Sequence, residues 1–228
     1  MILRRLLATL SLFTAILTGC SAQPAPTSDP GVALHPGDLL FQDLDGNPLC
    51  DAIEAVTTGC GNTRLSHVAM VVDTQPQVTL VEAVGSGVKL TPLSQFLLRS
   101  HDAAGHPKVL VGRLRQEYRD LIPQAVTYAK AQLGKPYDKP FTMGEDSFYC
   151  SELIYFAFLH ADHGKPVFST APMTFKDPAT GNFFPTWVDY YQKLGTPIPE
   201  GQPGLNPGGM SRDSCITIIH AYGQPAKK

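Results

Sequence analysis

Three residues of this 228-residue chain have side chains that together could attack and open an acyl bond: His67, Glu82 and Cys150, in that order. A thiol needs a base to take its proton, and an imidazole base needs a third group to fix its tautomer and orientation. The chain supplies one candidate for each part. They can act together only if the fold brings them to one place.

The candidate thiol is predicted at the start of a helix spanning residues 147–162. Ser147 or Asp146 is the expected N-cap, which puts Cys150 in the first turn. There the helix dipole favours negative charge on the sulfur, and free backbone N–H groups can bind an oxyanion. Helical spacing places one apolar set on a single buried face: Cys150, Leu153, Ile154, Ala157, Phe158 and Ala161.

The candidate base and acid are predicted on a β-hairpin. Residues 66–73 and 78–84 are rich in apolar and β-branched side chains, separated by a short turn. If Val72 pairs with Gln77, His67 lies opposite Glu82 and both side chains share a face. Glu82 is then a carboxylate on an apolar stripe and needs a partner such as the imidazole. A one-residue slip would separate the two side chains.

Each of these residues also has a purely structural explanation. A buried cysteine is commonly inert, a single strand histidine is commonly a satisfied polar group, and Glu82 could be an exposed strand end. Their joint occurrence on compatible faces favours a site. Elsewhere, His160 and His163 suit a helix C-terminus, and His101 and His106 lie in a loop expected to be exposed. No set of three ligands emerges, so no metal or cofactor is predicted.

The rest of the pattern predicts an α+β fold with an antiparallel sheet packed against helices. Further strands are expected at 39–41, 87–91, 108–114 and 215–221, and further helices at 49–57, 118–133 and near 187–194. Residues 164–209 are rich in Pro, Gly and Phe and are expected to wrap the domain as an extended insertion. Nothing indicates a repeat, so residues 35–228 are predicted to form a single domain.

The first 34 residues have the pattern of an export signal and a tether. Arg4 and Arg5 precede an apolar run, residues 6–17, that is too short to span a bilayer. The run leads to Cys20 in a sequence resembling a bacterial lipoprotein signal. Residues 1–19 are therefore expected to be removed, Cys20 to carry lipid, and residues 20–34 to form a flexible tether. An ordinary signal peptide with an incidental Cys20 is the alternative.

These features predict an exported lipoprotein anchored to a membrane, facing the periplasm, with the outer membrane favoured. The formal charge of −2 argues against a nucleic-acid partner, and a monomer is expected. In an oxidising compartment Cys50 and Cys60 could form a disulfide, but only if the chain turns back sharply after the helix between them. Cys215 lies in an apolar run and is predicted to be a core residue.

Taken in order, the motifs resemble the permuted papain-like branch of the NlpC-type thiol hydrolases, specifically the YiiX-like family. The resemblance covers most of residues 35–160 and is carried by these segments: Pro36–Asp38, Ser66–His67, Glu82–Gly85, Val88–Leu93, Leu133–Asp138 and Tyr149–Glu152. It implies a permuted papain-like fold with the nucleophile at a helix N-terminus. Cys150 would be the nucleophile, His67 the base and Glu82 the residue that orients His67.

The resemblance also implies a substrate-binding set of Ser66, Tyr137 and Tyr149, with Tyr137 near the oxyanion or substrate pocket. Residues 185–222 match poorly apart from the last strand. The wider superfamily suggests a cysteine amidase or peptidase acting through an acyl-enzyme on murein peptides or related small amides. Two alternatives remain open: a lipid acyltransferase or esterase, since a related permuted branch handles lipid acyl groups, and a lipoprotein that binds peptides without chemistry.

Overall fold

The computed structural model describes residues 32–228, and at its centre lies a six-stranded antiparallel sheet. The strands are β1 (Leu39–Gln42), β2 (His67–Asp73), β3 (Thr79–Val84), β4 (Gly87–Pro92), β5 (Val109–Leu114) and β8 (Ile216–Ala221). Their order across the sheet is β4-β3-β2-β1-β5-β8. β6 (Ala171–Pro172) and β7 (Pro203–Gly204) form a separate two-stranded ribbon. The predicted strand positions are confirmed. The predicted signal segment, Cys20 and the tether up to residue 31 lie outside the described residues.

Six α-helices complete the described part of the chain: α1 (Pro48–Val56), α2 (Leu93–Leu97), α3 (Ile122–Ala131), α4 (Cys150–Ala161), α5 (Pro185–Leu194) and α6 (Pro207–Ser211). The prediction of one continuous helix over 118–133 was wrong in its first part. Residues Gln116–Leu121 form a 3-10 helix, and α3 starts beside Pro123, whose fixed φ suits the first turn of an α-helix. Within residues 32–228 no helix is both long and apolar enough to cross a bilayer.

The two faces of the sheet bury alternate residues of each strand. On one face Val68 and Met70 of β2 join the main core, which α3 and α4 cover. On the other face Ala69 and Val71 pack with Phe96 of α2. This alternation confirms the α+β prediction of a sheet packed against helices. Leu34, at the end of the predicted tether, is also buried on the second face.

A third apolar cluster holds residues 164–209 against the rest of the molecule. Trp187 and Tyr191 of α5 pack with Phe175, with Ala52 of α1 and with Phe141 from the loop before α4. The ring centroids of Phe175 and Trp187 are 4.9 Å apart, with the rings perpendicular. This segment therefore forms helices and a small ribbon with its own buried aromatic residues, rather than only the extended wrapping expected from its composition.

The predicted register of the β2–β3 hairpin was wrong by two residues. Met70 pairs with Val81 and Val71 with Leu80, and a bulge follows between Val71 and Asp73. Continuing this register places Ala69, not His67, directly opposite Glu82. Because the error is an even number of residues, His67 and Glu82 still project from the same face, as diagonal neighbours.

Candidate active site

Cys150 is the first residue of α4. Its helix is capped by Tyr149, so the expected N-cap at Ser147 or Asp146 was wrong. The Glu152 carboxylate, fully buried, accepts hydrogen bonds from the backbone N–H groups of Tyr149 (3.1 Å) and Gly144 (2.7 Å) and thereby fixes the start of the helix. Burial raises the pKa of Glu152 to about 8, although these two hydrogen bonds act in the opposite direction.

The apolar face predicted for this helix is confirmed, since all six of its residues are buried. Cys150 lies at the N-terminal end of that face, and the residue is only 5% exposed. It nevertheless lines a pocket, so a ligand in the pocket can reach the thiol.

His67 is the first residue of β2 and contacts both of the other candidate side chains. Its Nε2 lies 2.7 Å from Oε2 of Glu82, and the Cys150 side chain is near enough to its ring to influence its charge. Nδ1 is the nitrogen that remains for the sulfur. Burial alone would lower the pKa of His67, but the hydrogen bonds to Cys150 and Glu82 outweigh it and raise that pKa to about 9. The imidazole therefore holds its second proton more tightly than an ordinary histidine does.

Glu82 is fully buried and accepts hydrogen bonds from three side chains. Arg99 donates to both oxygens, from Nη1 to Oε2 (2.7 Å) and from Nη2 to Oε1 (2.5 Å). Thr91 Oγ1 donates to Oε1 at 2.5 Å, and His67 completes the set. Burial would raise the pKa of Glu82, but the bonds from Arg99, His67 and Thr91 hold it well below its ordinary value. Glu82 is therefore a fixed carboxylate at every physiological pH.

Arg99 and Thr91 were missed in the sequence. Thr91 lies on β4 and reaches Glu82 diagonally, because Glu82 itself pairs with Lys89. Arg99 follows α2, and its guanidinium lies 5.2 Å from the ring centroid of Phe96. The feature of the sequence that could have indicated them was the carboxylate of Glu82. It was predicted to be buried, and a buried carboxylate needs more hydrogen-bond donors than one imidazole can provide.

The pocket beside Cys150 is where the three predicted substrate-binding residues lie. Ser66, Tyr137 and Tyr149 all line it. Most of the remaining wall comes from residues 171–207, and the rest from α1 and its C-cap, from the loop before α4 and from α4 itself. These lining residues are Ile53, Val56, Thr57, Phe141, Ser151, Ala171, Pro172, Met173, Thr174, Phe175, Trp187, Gly204, Leu205, Asn206 and Pro207. Two of these contribute a buried polar atom without a partner among the described residues, Ser151 Oγ and Trp187 Nε1.

The three predicted substrate-binding residues differ in how they are held. The Tyr149 hydroxyl accepts a hydrogen bond from the Leu205 N–H (3.3 Å), and Ser66 Oγ accepts one from the Leu44 N–H (3.1 Å). The Tyr137 hydroxyl makes no hydrogen bond to another residue of the described chain. Burial, and then the nearby Cys150 sulfur, raise the pKa of Tyr137 well above its ordinary value. Tyr137 therefore offers a protonated hydroxyl to a ligand.

Backbone hydrogen bonds fix the loop that carries Tyr137. The Val88 N–H donates to Lys135 O at 2.9 Å, and the Gly134 N–H donates to Val88 O at 2.9 Å. The Phe148 N–H in turn donates to Pro136 O at 3.1 Å. Residues 134–137 thus join the edge strand β4 to the segment that leads into α4.

The other cysteines and histidines lie apart from this arrangement or play other parts. Cys50 is a free thiol, so a Cys50–Cys60 disulfide is not formed. Burial raises the pKa of the Cys50 thiol to about 11. Cys215 is fully buried, as predicted for a core residue. His160 stacks on Tyr128. Within residues 32–228, no three His, Cys, Asp or Glu side chains are grouped so that they could hold a metal ion.

Residues 33–220 match the family described as permuted papain-like amidase enzymes of the YaeF/YiiX type, C92 family. The chain belongs to this family. The match extends through residues 185–220, where the motifs alone had given little resemblance. It also confirms the YiiX-like permuted papain-like assignment. The family description supports a cysteine peptidase or amidase, while the roles of Cys150, His67 and Glu82 stay predictions.

Two relatives of the chain come from Escherichia coli. The uncharacterized protein YiiX of strain K12 is 33% identical over 136 residues, which are 59% of this chain and 63% of YiiX. The aligned region thus spans less than two thirds of that relative. A crystal structure of YiiX from strain O157:H7, described as a metalloprotein, superposes with a TM-score of 0.64 at 25% identity and covers 85% of this chain and 97% of that one.

Proposed function

We propose that the protein is a cysteine amidase that forms an acyl-enzyme on Cys150. The observation that supports this most directly is the grouping of three side chains: His67 hydrogen-bonds Glu82 and interacts with the Cys150 thiol, which lies at the start of a helix and at the edge of a pocket. A buried structural cysteine would need neither an imidazole partner nor access to a pocket. The family description is of amidases, which agrees with this chemistry.

In the first half of the reaction, the sulfur of Cys150 attacks the carbonyl carbon of the amide, and the proton of the thiol passes to His67. A C–S bond forms, and the carbonyl π electrons move to the oxygen. When the tetrahedral intermediate collapses, the C–N bond breaks and His67 gives its proton to the leaving amine. Because the pKa of His67 is raised to about 9, this proton is in place at neutral pH.

In the second half, neutral His67 takes a proton from water as the water oxygen attacks the thioester carbon. The C–S bond breaks, the acid product leaves, and the proton on His67 restores the starting pair with the sulfur of Cys150. Glu82 stays ionised throughout, because Arg99 and Thr91 hold its charge in hydrogen bonds. It keeps the imidazole in one orientation rather than accepting its proton.

Two donors are suited to the oxyanion formed in each half. The backbone N–H of Cys150 lies in the first turn of α4, where N–H groups have no partner within the helix. The Tyr137 hydroxyl lines the same pocket and stays protonated. Both donors are uncharged, so they favour the negatively charged intermediate without holding the product acid as an ion pair.

Substitution of the thiol tests this proposal. With an acyl amide of a fluorescent amine, wild-type protein should release amine, and mass spectrometry should find the acyl group on Cys150. Cys150→Ala should lower turnover by at least about a thousandfold while leaving the fold intact. Cys215→Ala, a substitution of a thiol buried outside the pocket lining, is the matched control and should retain activity. Undiminished turnover by Cys150→Ala would exclude the mechanism.

A further inference from the structure

Gln42 is a polar residue on an otherwise apolar stripe of the sheet. It is the last residue of β1, it is fully buried, and it pairs directly with His67 on β2, so the two side chains share a face. On the same face β1 contributes Leu40, and β2 contributes Ala69 and Val71. An amide here must give up its hydration, which an aliphatic side chain would not have to do.

One atom of the Gln42 amide has a hydrogen bond and the other has none. Nε2 donates to the Phe96 carbonyl oxygen at 2.9 Å, and since a carbonyl can only accept, the amide nitrogen must face it. Oε1 is buried with no partner among residues 32–228. The Phe96 oxygen also accepts from the backbone N–H groups of Leu98 and Arg99 (3.4 Å for Arg99), so it does not depend on Gln42 for a donor. Stability alone would therefore favour an apolar residue at position 42.

The bond from Gln42 holds the helix that lies over His67. That helix, α2, has five residues, and an isolated helix of this length is not stable in water. Phe96 is in its last turn, with a ring centroid 5.8 Å from that of His67. Shortly after the helix, Arg99 binds both oxygens of Glu82, which in turn hydrogen-bonds His67. The contacts thus form a closed chain around the imidazole, from β1 to α2, from α2 to β3, and from β3 back to β2.

We infer that Gln42 is a positioning residue for the proposed reaction, because its amide ties α2 to the strand beside His67 and so holds Arg99 in place. Arg99 fixes Glu82, and Glu82 orients the imidazole. The inference rests on the proposed function for the reaction that His67 serves. In that reaction the imidazole must keep one direction while it gives a proton to the leaving amine and takes one from water. Displacement of a catalytic group by about 1 Å can lower a rate by about 100-fold, so a tie that costs some stability is explained by what it does for the site.

The first test separates activity from stability. Gln42→Met keeps the length of the side chain and removes both amide atoms. It should lower kcat about tenfold and leave KM within about twofold, because Gln42 does not line the pocket. The melting temperature should change by less than about 3 °C, because an unpartnered acceptor is removed together with the hydrogen bond. The measurements are kcat and KM with one fluorogenic amide, and thermal unfolding.

Gln132→Met is the matched control. Gln132 is likewise buried, at the end of α3, and its Nε2 donates to the Tyr128 carbonyl oxygen at 3.0 Å. Because α3 covers the opposite face of the sheet from Gln42, this variant should keep the wild-type kcat. Wild-type kcat in Gln42→Met, or an equal loss of kcat in both variants, would overturn the inference.

A double-mutant cycle tests the route through Arg99. If Gln42 acts by holding Arg99, the contact that it supports is already lost in Arg99→Met. Adding Gln42→Met to that variant should then lower kcat by less than about twofold, rather than by the tenfold expected in the wild type. This comparison holds even where Gln42→Met lowers the melting temperature more than expected. A further loss of about tenfold in the double variant would overturn the inference.

The two proposals fail in different ways. Turnover that does not depend on Cys150 would contradict the amidase, whatever the effect of Gln42→Met. Turnover that requires Cys150 and is unchanged in Gln42→Met would support the amidase and contradict the positioning role.

Discussion

Arg99 changes what Glu82 can contribute to the candidate site. A buried carboxylate without other partners would strongly stabilise the protonated form of a neighbouring imidazole. Here two N–H groups of Arg99 compensate the charge of Glu82. The Arg99 side chain is 24% exposed, and its guanidinium lies near the ring of Phe96. In the proposed mechanism Arg99 is therefore a positioning residue, which fixes the direction of Glu82.

We expect Arg99→Met to lower kcat by about 10- to 100-fold, because the carboxylate that orients His67 loses its fixed geometry. The variant should also move the alkaline limb of the pH profile. In the wild type, activity should fall through about pH 9 as His67 loses its proton. Without the nearby cation, the uncompensated charge of Glu82 should hold that proton more tightly, so the limb should move to higher pH. The measurement is kcat/KM across pH 6–11 with one fluorogenic amide.

Two variants show whether such a change is specific. Arg99→Lys should recover part of the rate, since it keeps the charge but loses the paired hydrogen bonds. Arg113 makes a comparable two-nitrogen contact with Asp38, at 2.7 Å for each bond, away from His67. Arg113→Met should lower stability and leave the alkaline limb in place. A limb that stays in place in Arg99→Met would contradict the positioning role.

At this scale the sequence predicted the residue types that a thiol mechanism needs, and the structure brings those three side chains together. Arg99 could not be found in this way. Its contact with Glu82 depends on how the end of α2 is directed over the sheet, and no periodicity in residues 93–99 encodes that direction. Trp187 was placed on a helix, but its part in the pocket depends on the packing of that helix on α1.

Among the elements, the loop of residues 134–137 connects the edge of the sheet to the start of α4. It can do so because Gly87 has no side chain. A Cβ at this position would lie 2.3 Å from Lys135 O, and the residue has φ +101°, which L side chains rarely adopt. The same loop carries Tyr137, so a change at Gly87 would reach the pocket through backbone atoms.

Gly87→Ala should therefore destabilise the protein by roughly 1–3 kcal/mol and also lower activity, through displacement of residues 134–137. Thermal unfolding and kcat would be measured together. Gly85→Ala lies in the same turn, where an added Cβ meets no atom within 4 Å and φ is not positive, so it is the control and should be close to neutral. Equal stability of the two variants would show that the close approach is not required.

The hairpin shows which part of strand pairing a sequence can specify. The apolar alternation of β2 and β3 predicted which side chains share a face, and that prediction is confirmed. It could not specify the register, because a displacement of the pairing by two residues leaves every side chain on the same face of the sheet. The helix start was also misplaced, since Tyr149 is the N-cap, and Glu152, from inside the helix, accepts a hydrogen bond from its backbone N–H.

For the whole molecule, three buried ionisable groups make stability depend on pH in the same direction. Glu54 and Glu152 have pKa values raised by burial to about 7 and about 8, so their contributions are complete below about pH 4.5 and are lost as the pH rises through those values. That of His67 is complete below about pH 6.5 and is lost through about pH 9. Glu82, with a lowered pKa, contributes above about pH 4.5 and loses its contribution in stronger acid.

The melting temperature should therefore be highest near pH 5 and fall towards pH 9. Glu54→Gln removes one of these pH-dependent contributions to stability, because an amide does not ionise. The loss of stability between pH 5 and pH 8 should be smaller in this variant by roughly 1–3 kcal/mol. The exposed Glu117→Gln is the control and should follow the wild type. An identical pH dependence in Glu54→Gln would contradict the assignment, and the measurement is thermal unfolding at a series of pH values.

Fold class and element order were accessible from the sequence because strand alternation and helical periodicity are local. The arrangement of residues 164–209 was not, since its aromatic residues follow no regular spacing. Their burial depends on contacts with α1 and with Phe141, which is distant in sequence.

Between α4 and β8 a continuous stretch of about fifty residues contributes more than half of the pocket wall, yet none of the cysteine, histidine or glutamate partners. Under the proposed function, much of the selectivity is thus encoded apart from the reactive residues. Exchange of this stretch between relatives would give hybrids that share one reaction centre and differ in what they accept. Divergence of the family towards new molecules could proceed there without loss of its chemistry.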